Sequence, residues 1–321
     1  MRGVNLNVFD FDYDMTWAAL FLNAQEKVLG RYGSRDADSA DKHLSLAGLS
    51  YAMRQALAAH RRGQSEEPLA CRSMPRTVEQ YAAAKRLKEN ACIHCHQVYD
   101  FRRTELQANG KWRREDVWVY PLPENIGLKM DVDQGDRVEA VRANSPAERA
   151  GLRAGDLLQS LNGWSIASLA DVQYALHRAP AKGGIRARWQ RNGRAAGAEL
   201  SLPEGWRMTD VSWRASLHGI GPAPGVHGED LTAEEKRSLG LPEKSLAFRQ
   251  GNFVPEVTRQ AGIRQNDVIV GVDNKTLEMS ARQFLAYIRL TYQVGDRVTF
   301  NLLRNGRQLN VPLQLPSLAP H

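Results

Sequence analysis

Five consecutive residues concentrate the chemistry this chain could do: Cys92-Ile93-His94-Cys95-His96. Two thiols three residues apart fall on one face of a helical turn, and an imidazole follows the second at once. C-x-x-C-H is the attachment pattern of c-type haem. In that chemistry Cys92 and Cys95 form thioethers with the two vinyl groups, and His96 reaches the iron as proximal ligand. The same atoms allow two other chemistries. Cys92 and Cys95 can close a redox disulfide. Cys71, Cys92, Cys95 and His96 (or His94) make a Cys₃His set for zinc, although the 20 residues after Cys71 fit paired zinc ligands poorly. A sixth ligand for haem iron is not evident. Met74 and Met130 are the nearest methionines, and Met130 reads as part of the next domain.

The elements that must position this motif begin with an Ala- and Lys-rich stretch, 77–90, which predicts a helix running into Cys92. Residues 53–114 hold 13 Lys/Arg against 6 Asp/Glu, so the whole formal charge of +7 surrounds the motif. That surplus is a solvated basic face or a docking surface for an acidic redox partner. No nucleic-acid partner is expected, because no aromatic-rich RNA motif or zinc-finger spacing accompanies the charge. Three cysteines do not make a disulfide framework. No apolar run approaches the ~20 residues of a membrane span, and the first residues lack the apolar core of a signal peptide.

Upstream, residues 3–11 alternate in part, 16–22 read as a buried strand, 23–26 as a turn and 27–32 as a second strand. An amphipathic helix is predicted over about 44–60. This order resembles the C-terminal half of a thioredoxin fold. Met15-Thr16 stands where thioredoxins carry a cis-Pro before Thr, and no thiol chemistry is assigned to the piece. Asp10-Phe11-Asp12-Tyr13-Asp14 has Met15 and Phe21 where a calcium loop needs Gly and Glu. These acids are therefore expected on the polar side of a strand or loop.

The C-terminal two-thirds repeat. Ala150-Gly151-Leu152-Arg153-Ala154-Gly155-Asp156-Leu157 returns as Ala261-Gly262-Ile263-Arg264-Gln265-Asn266-Asp267-Val268, with Gly151 and Gly262 separated by 111 residues. Each copy continues with a helix, about 168–178 and 280–290. Each closes on a hairpin, Arg191-Asn192-Gly193-Arg194 and Arg304-Asn305-Gly306-Arg307, whose Asn-Gly pair suits the two positive-φ positions of a tight turn. The A-G-L-x-x-G-D run resembles bacterial PDZ domains of the HtrA type. That resemblance implies peptide C-termini as partners, added as a strand while backbone N–H groups hold the carboxylate. It places the first carboxylate loop at Glu124, Asn125, Ile126, Gly127 and Leu128, with Val172 and Leu176 lining the side-chain pocket. In the second copy it implies Gly225, Val226, His227 and Gly228, with Phe284 and Ile288. The first loop is the more standard and makes the first copy the better binding candidate. The chain carries no G-x-S-x-G, and no protease is expected.

In order, Phe11-Asp12-Tyr13-Asp14-Met15-Thr16-Trp17-Ala18, Gly30-Arg31-Tyr32-Gly33, the C-x-x-C-H run, Val119 to Gly127 and the two repeats resemble a bacterial family of thioredoxin-like/PDZ (seleno)proteins. The resemblance implies that the redox-active cysteine or selenocysteine, and an export signal, lie upstream of Met1. The resulting expectation is an α+β multidomain chain. It comprises a truncated thioredoxin-like domain (1–62), a short basic helical C-x-x-C-H segment (63–122), a first PDZ domain (123–205), a linker (206–224) and a second PDZ domain (225–316). The PDZ domains are expected as small β-barrels or sandwiches with helices. The expected function is a periplasmic or otherwise exported electron-transfer protein with one haem c and two partner-recruiting PDZ domains. Two alternatives stand beside it: a non-enzymatic PDZ adaptor with a zinc-bound or disulfide linker, and a thiol or selenol oxidoreductase.

Overall fold

The computed structural model describes residues 1–63, 74–88 and 91–318. The chain divides into two compact units, 1–209 and 210–321. In the first, β1 (Ala19–Leu22) and β2 (Val28–Tyr32) pair as an antiparallel hairpin. Asn23 Oδ1 closes its turn by accepting from the amides of Gln25 (2.9 Å) and Lys27 (3.0 Å). Helix α1 (Leu46–Arg61) starts at Ser45, whose Oγ accepts from Gly48 N at 2.8 Å. Hairpin and helix match the expectation, but the strand over 3–11 does not form. Leu6 and Tyr13 are drawn instead into a small core with Val78, Tyr81, Val98 and Phe101, and turns bring them there. The half thioredoxin fold is not reproduced.

Over 77–88, the described part of the helix expected at 77–90, two 3₁₀ turns stand instead, Val78–Gln80 and Ala84–Arg86, with Tyr81 extended between them. Val78, Tyr81 and Ala84 all enter the same core. A three-residue spacing of buried side chains suits the three-residue turn of a 3₁₀ helix better than an α-helix. Among the described residues of this segment the α-helix, α2 (Gln97–Ala108), follows the C-x-x-C-H run rather than leading into it.

A 3₁₀ turn, Pro123–Ile126, opens the first repeat. There β3 (Leu128–Met130) pairs with β4 (Val138–Val141). Helix α3 (Pro146–Arg149), β5 (Leu157–Leu161), β6 (Trp164–Ser165), α4 (Leu169–His177), β7 (Gly183–Arg191) and β8 (Arg194–Leu202) follow. The last four strands form an antiparallel sheet in the order β6-β5-β7-β8. Its core runs from Ile126 and Leu128 through Val172 and Leu176 to Trp189 and Leu200.

The second unit repeats the plan with β9 (Gly228–Asp230), α5 (Ala233–Ser238), β10 (Phe248–Gln250), α6 (Glu256–Ala261), β11 (Val268–Val272), α7 (Ala281–Thr291), β12 (Arg297–Arg304) and β13 (Arg307–Gln314). Here all five strands share one sheet, ordered β13-β12-β11-β10-β9. Phe248, Phe284, Ile288, Phe300 and Leu302 fill its core.

One device explains why the repeat keeps Asp156 and Asp267 at matching places. Each carboxylate is buried and accepts a fork of two hydrogen bonds from the hairpin arginine of its own copy. Arg191 Nε and Nη2 reach Asp156 at 2.7 Å, and Arg304 Nε and Nη2 reach Asp267 at 2.7 Å. The same guanidinium then donates to the carbonyl of the motif glycine, Gly151 (2.7 Å) or Gly262 (2.6 Å). The turn amides of Arg153 and Arg264 complete the two carboxylates. The glycine–aspartate motif thus ties its own turn to a hairpin 35 to 37 residues away. Asp267→Ala removes an acceptor shared by a charged fork and a backbone amide, and should lower stability by about 2 kcal/mol. Urea unfolding of the variant checks this; an unchanged midpoint would contradict it.

Candidate functional site

The first candidate groove lies between β3 and α4, with the 3₁₀ turn before β3 as its carboxylate loop. Gly127 closes that turn at φ 87°. A Cβ there would stand 2.1 Å from Ser145 Cβ, so the loop requires glycine. The expected binding residues are present but engaged. The Asn125 amide donates to the carbonyls of Trp206 (2.8 Å) and Met208 (3.1 Å). Ile126, Leu128, Val172 and Leu176 are buried to 1% exposure or less.

These four side chains belong to the first domain's own core, and the N-terminal segment packs around the helix start and the turn after β3. Arg31 N donates to Asp171 Oδ1 (3.1 Å), and Ser168 Oγ donates to Arg31 O (2.5 Å). The Arg31 guanidinium lies 3.6 Å over the Tyr174 ring. Further along, Ser45 Oγ donates to Asp133 Oδ1 (2.6 Å), and Tyr51 Oη donates to Asp136 Oδ2 (2.8 Å). A turn built around Asp36 faces Glu124 of the loop. Lys42 Nζ (2.5 Å) and His43 Nε2 (2.9 Å) contact Asp36 Oδ2, while the amides of Asp38 and Ser39 donate to Oδ1. Burial by itself would raise the Asp36 carboxyl, but the bonds from Lys42, Ser39, His43 and Asp38 outweigh it and hold it at about 2. Glu124 goes the other way. Its Oε2 is buried without a hydrogen-bond partner, and burial pushes its carboxyl up against the opposing pull of His43.

The second candidate groove lies between β9 and α7. Thr258 Oγ1 donates to Gly225 O at 2.7 Å, fixing the loop that Val226 and His227 continue. His227 N donates to Gln250 Oε1 (3.2 Å), and Gly251 N donates to His227 O (2.9 Å). The His227 ring sits 6.0 Å from that of Phe253, which is 68% exposed. Phe284 and Ile288 are fully buried in the domain core. Sequence reasoning missed Thr258 and Gln250, whose roles depend on strand pairing that no local pattern encodes. It also missed Ser168 and Asp171, although Ser-x-x-Asp before an apolar run is a helix-start signal.

The residues of the opening motif lie apart from both grooves. Cys92 is an exposed free thiol, and Cys95 is a half-buried one packed against the small core of Tyr81 and Phe101. The His94 and His96 rings stack at 5.9 Å, and His96 Nδ1 is buried without a hydrogen-bond partner. Cys71 lies outside the described residues. Among the described residues no group of three or more His, Cys, Asp or Glu side chains stands close enough to share a metal ion. Asp10, Asp12 and Asp14 are buried, not on a polar surface as expected. Asp10 is ion-paired to Arg178 and accepts from Tyr120 Oη (3.2 Å), while Asp12 accepts from Tyr99 Oη (3.1 Å). These acids join α2 to the first repeat.

The PDZ domain family matches residues 137–191, and a second PDZ domain family matches 254–315. The chain therefore contains two PDZ domains. It is 30% identical over 226 residues to a probable periplasmic serine endoprotease DegP-like of Pseudomonas putida (strain GB-1), covering 66% of this chain and 45% of that protein. It is 29% identical over 188 residues to the periplasmic pH-dependent serine endoprotease DegQ of Escherichia coli (strain K12), covering 55% of this chain and 38% of that protein. The chain thus spans less than half the length of these relatives. A solved structure of the HtrA-type protease AlgW with a decapeptide is similar at 18% identity over 43% of this chain and 51% of that one, with a TM-score of 0.27.

These relatives overturn the expected function. They are periplasmic serine endoproteases, not redox or haem proteins, so the electron-transfer reading and the thioredoxin-like/PDZ (seleno)protein resemblance are corrected. The zinc or disulfide adaptor and the thiol or selenol oxidoreductase gain no support from them, nor does an acidic redox partner. The expectation of an exported, periplasmic protein agrees with them. No helix among the described residues is long and apolar enough to cross a membrane.

The turn beside Glu124 is open to direct titration. The Asp36 carboxyl lies below its ordinary 3.8, so its stabilising contribution is complete above about pH 4 and is lost as pH falls towards 2. The Asp36 carboxylate carbon should titrate by NMR with a midpoint near 2 and move upward in Lys42→Met. A wild-type midpoint near 4 would contradict the geometry.

Proposed function

We propose that the chain binds polypeptides, and that its second PDZ domain takes a free C-terminus as an added strand along β9. The observation that carries this reading is the position of β9 at the end of its sheet, paired on one side only, with β10. His227 O and Leu231 N both engage the neighbouring strand, through Gly251 N and Ala247 O. By alternation, the main-chain groups of Gly228 and Asp230 face away from it. They offer the row of donors and acceptors that an incoming extended chain completes. The loop from Gly225 to His227 precedes that edge, where backbone amides would meet a terminal carboxylate. Phe253 and Val257, exposed beside the loop, would give the last side chain of the ligand an apolar neighbour.

The standard loop of the first domain made it the better candidate by sequence. Its surroundings favour the second, because the start of the first domain's helix and the turn after β3 are held by the chain's own N-terminal residues. The proteolytic activity of the relatives is not part of this proposal.

A pool of short peptides with random final residues and free carboxylates tests the reading. Added to the chain, it should shift the NMR amide signals of Val226, His227, Gly228 and Asp230. The same pool with C-terminal carboxamides should bind about tenfold more weakly, a loss near 1.4 kcal/mol. Shifts that ignore the carboxylate, or that leave 226–230 untouched, would overturn it.

A further inference from the structure

The two PDZ domains of this chain differ in what lies over the gap between binding strand and helix. In the second, the edge formed by Gly228 and Asp230 is partly open, and Glu229 and Asp230 are exposed. In the first, Leu128 and Met130 are buried to 1% and 2%. Every residue of α4 other than Ala170 and His177 is buried too.

Leu128 and Met130 are held in the domain's own core, and residues 32–48 reach two borders of the same groove. On the helix side, Tyr32, Gly33 and Ser34 line a narrow pocket with Ser168, Leu169 and Ala170. On the strand side, that pocket is completed by Asp131, Val132 and Gly48. A Cβ on Gly48 would stand 2.3 Å from Val132 O, so the segment lies directly on the chain that leaves β3. Between these sides, His43 lines the same pocket and, with Lys42, holds Asp36 of the segment's own turn. Tyr32 ties the ends of the segment together. Its Oη donates to Ser45 O at 2.8 Å and accepts from Ser45 N at 2.8 Å.

We propose that residues 32–48 are an internal plug that occupies the mouth of the first PDZ groove in place of a peptide, so that this domain binds a ligand only when the segment is displaced. The segment is anchored by polar contacts at a few points rather than by a continuous apolar face. Ser45 makes the contact to Asp133 and the Asp36–Lys42 pair holds the segment's own turn, while Asp38, Ala40, Asp41 and Lys42 remain exposed. A contact of that kind can open without unfolding the core of Val138, Leu158 and Leu200 behind it.

Amide hydrogen exchange tests the proposal without any ligand, and therefore independently of the second domain's activity. In the wild-type chain, the outward amides of Leu128 and Met130 should exchange at least about tenfold more slowly than those of Gly228 and Asp230, after correction for intrinsic rates. Gly48→Ala, which places a methyl against Val132 O, should abolish that difference while Val138, Leu158 and Leu200 keep their protection. Should Gly48→Ala unfold the unit, Tyr32→Phe removes only the two Ser45 bonds and should narrow the difference in the same sense. Equal exchange at the two strands in the wild-type chain would overturn the proposal. So would a folded Gly48→Ala or Tyr32→Phe chain that leaves Leu128 and Met130 as slow as before.

Discussion

The first unit of this protein depends on one buried carboxylate. Asp171, at 1% exposure, sits in the first turn of α4 and accepts from two directions. Ala167 N (3.2 Å) approaches from its own helix start, and Arg31 N (3.1 Å) and Nη1 (3.4 Å) from β2. A carboxylate taken out of water is tolerated only when its lone pairs are filled and its charge is met. Arg31 does both, and Tyr174 covers its guanidinium. Because the contact uses the main chain of β2 as well as a side chain, it fixes the path of the hairpin. The turn at Asp36 and helix α1 follow from that path.

The Asp10 cluster does the same work at the other end of α4. Arg178 and Tyr120 bring the first repeat to Asp10, and Arg102 of α2 stands 3.8 Å from it. Burial pushes the Tyr120 phenol well above its usual range, and Asp10 adds to the shift, so the hydroxyl remains a donor at any physiological pH. The segment carrying Cys92 and Cys95 is thus mounted on the first PDZ domain through α2. What the N-terminal residues build is a cover for that domain.

The repeat was legible in the sequence because its signals are local. The glycine–aspartate run, the Asn-Gly turns and the helix starts each depend on neighbours within a few residues. Asn192 and Gly193, and Asn305 and Gly306, take the positive φ values that the motif implied. The N-terminal third was legible only in part. The hairpin and α1 carry periodic patterns of their own, but Leu6, Tyr13 and Val78 are placed by a core assembled from three distant stretches. The Asp10, Asp12 and Asp14 run looked like a surface feature because its partners Arg178, Tyr120 and Tyr99 lie 87 to 168 residues away. The C-x-x-C-H run is a true local pattern that led to the wrong function. Its spacing specifies what two thiols and an imidazole could do, not what surrounds them.

If the N-terminal segment is a cover held through Asp171, residues 1–209 unfold together. Scanning calorimetry of wild type and Asp171→Ala tests this most directly. Removing one partner of a buried, hydrogen-bonded pair should move the whole transition of that unit down by roughly 10 °C, without dividing it. A variant whose trace splits, with a new low-temperature transition for the N-terminal segment and an unmoved one for the first PDZ domain, would contradict the account.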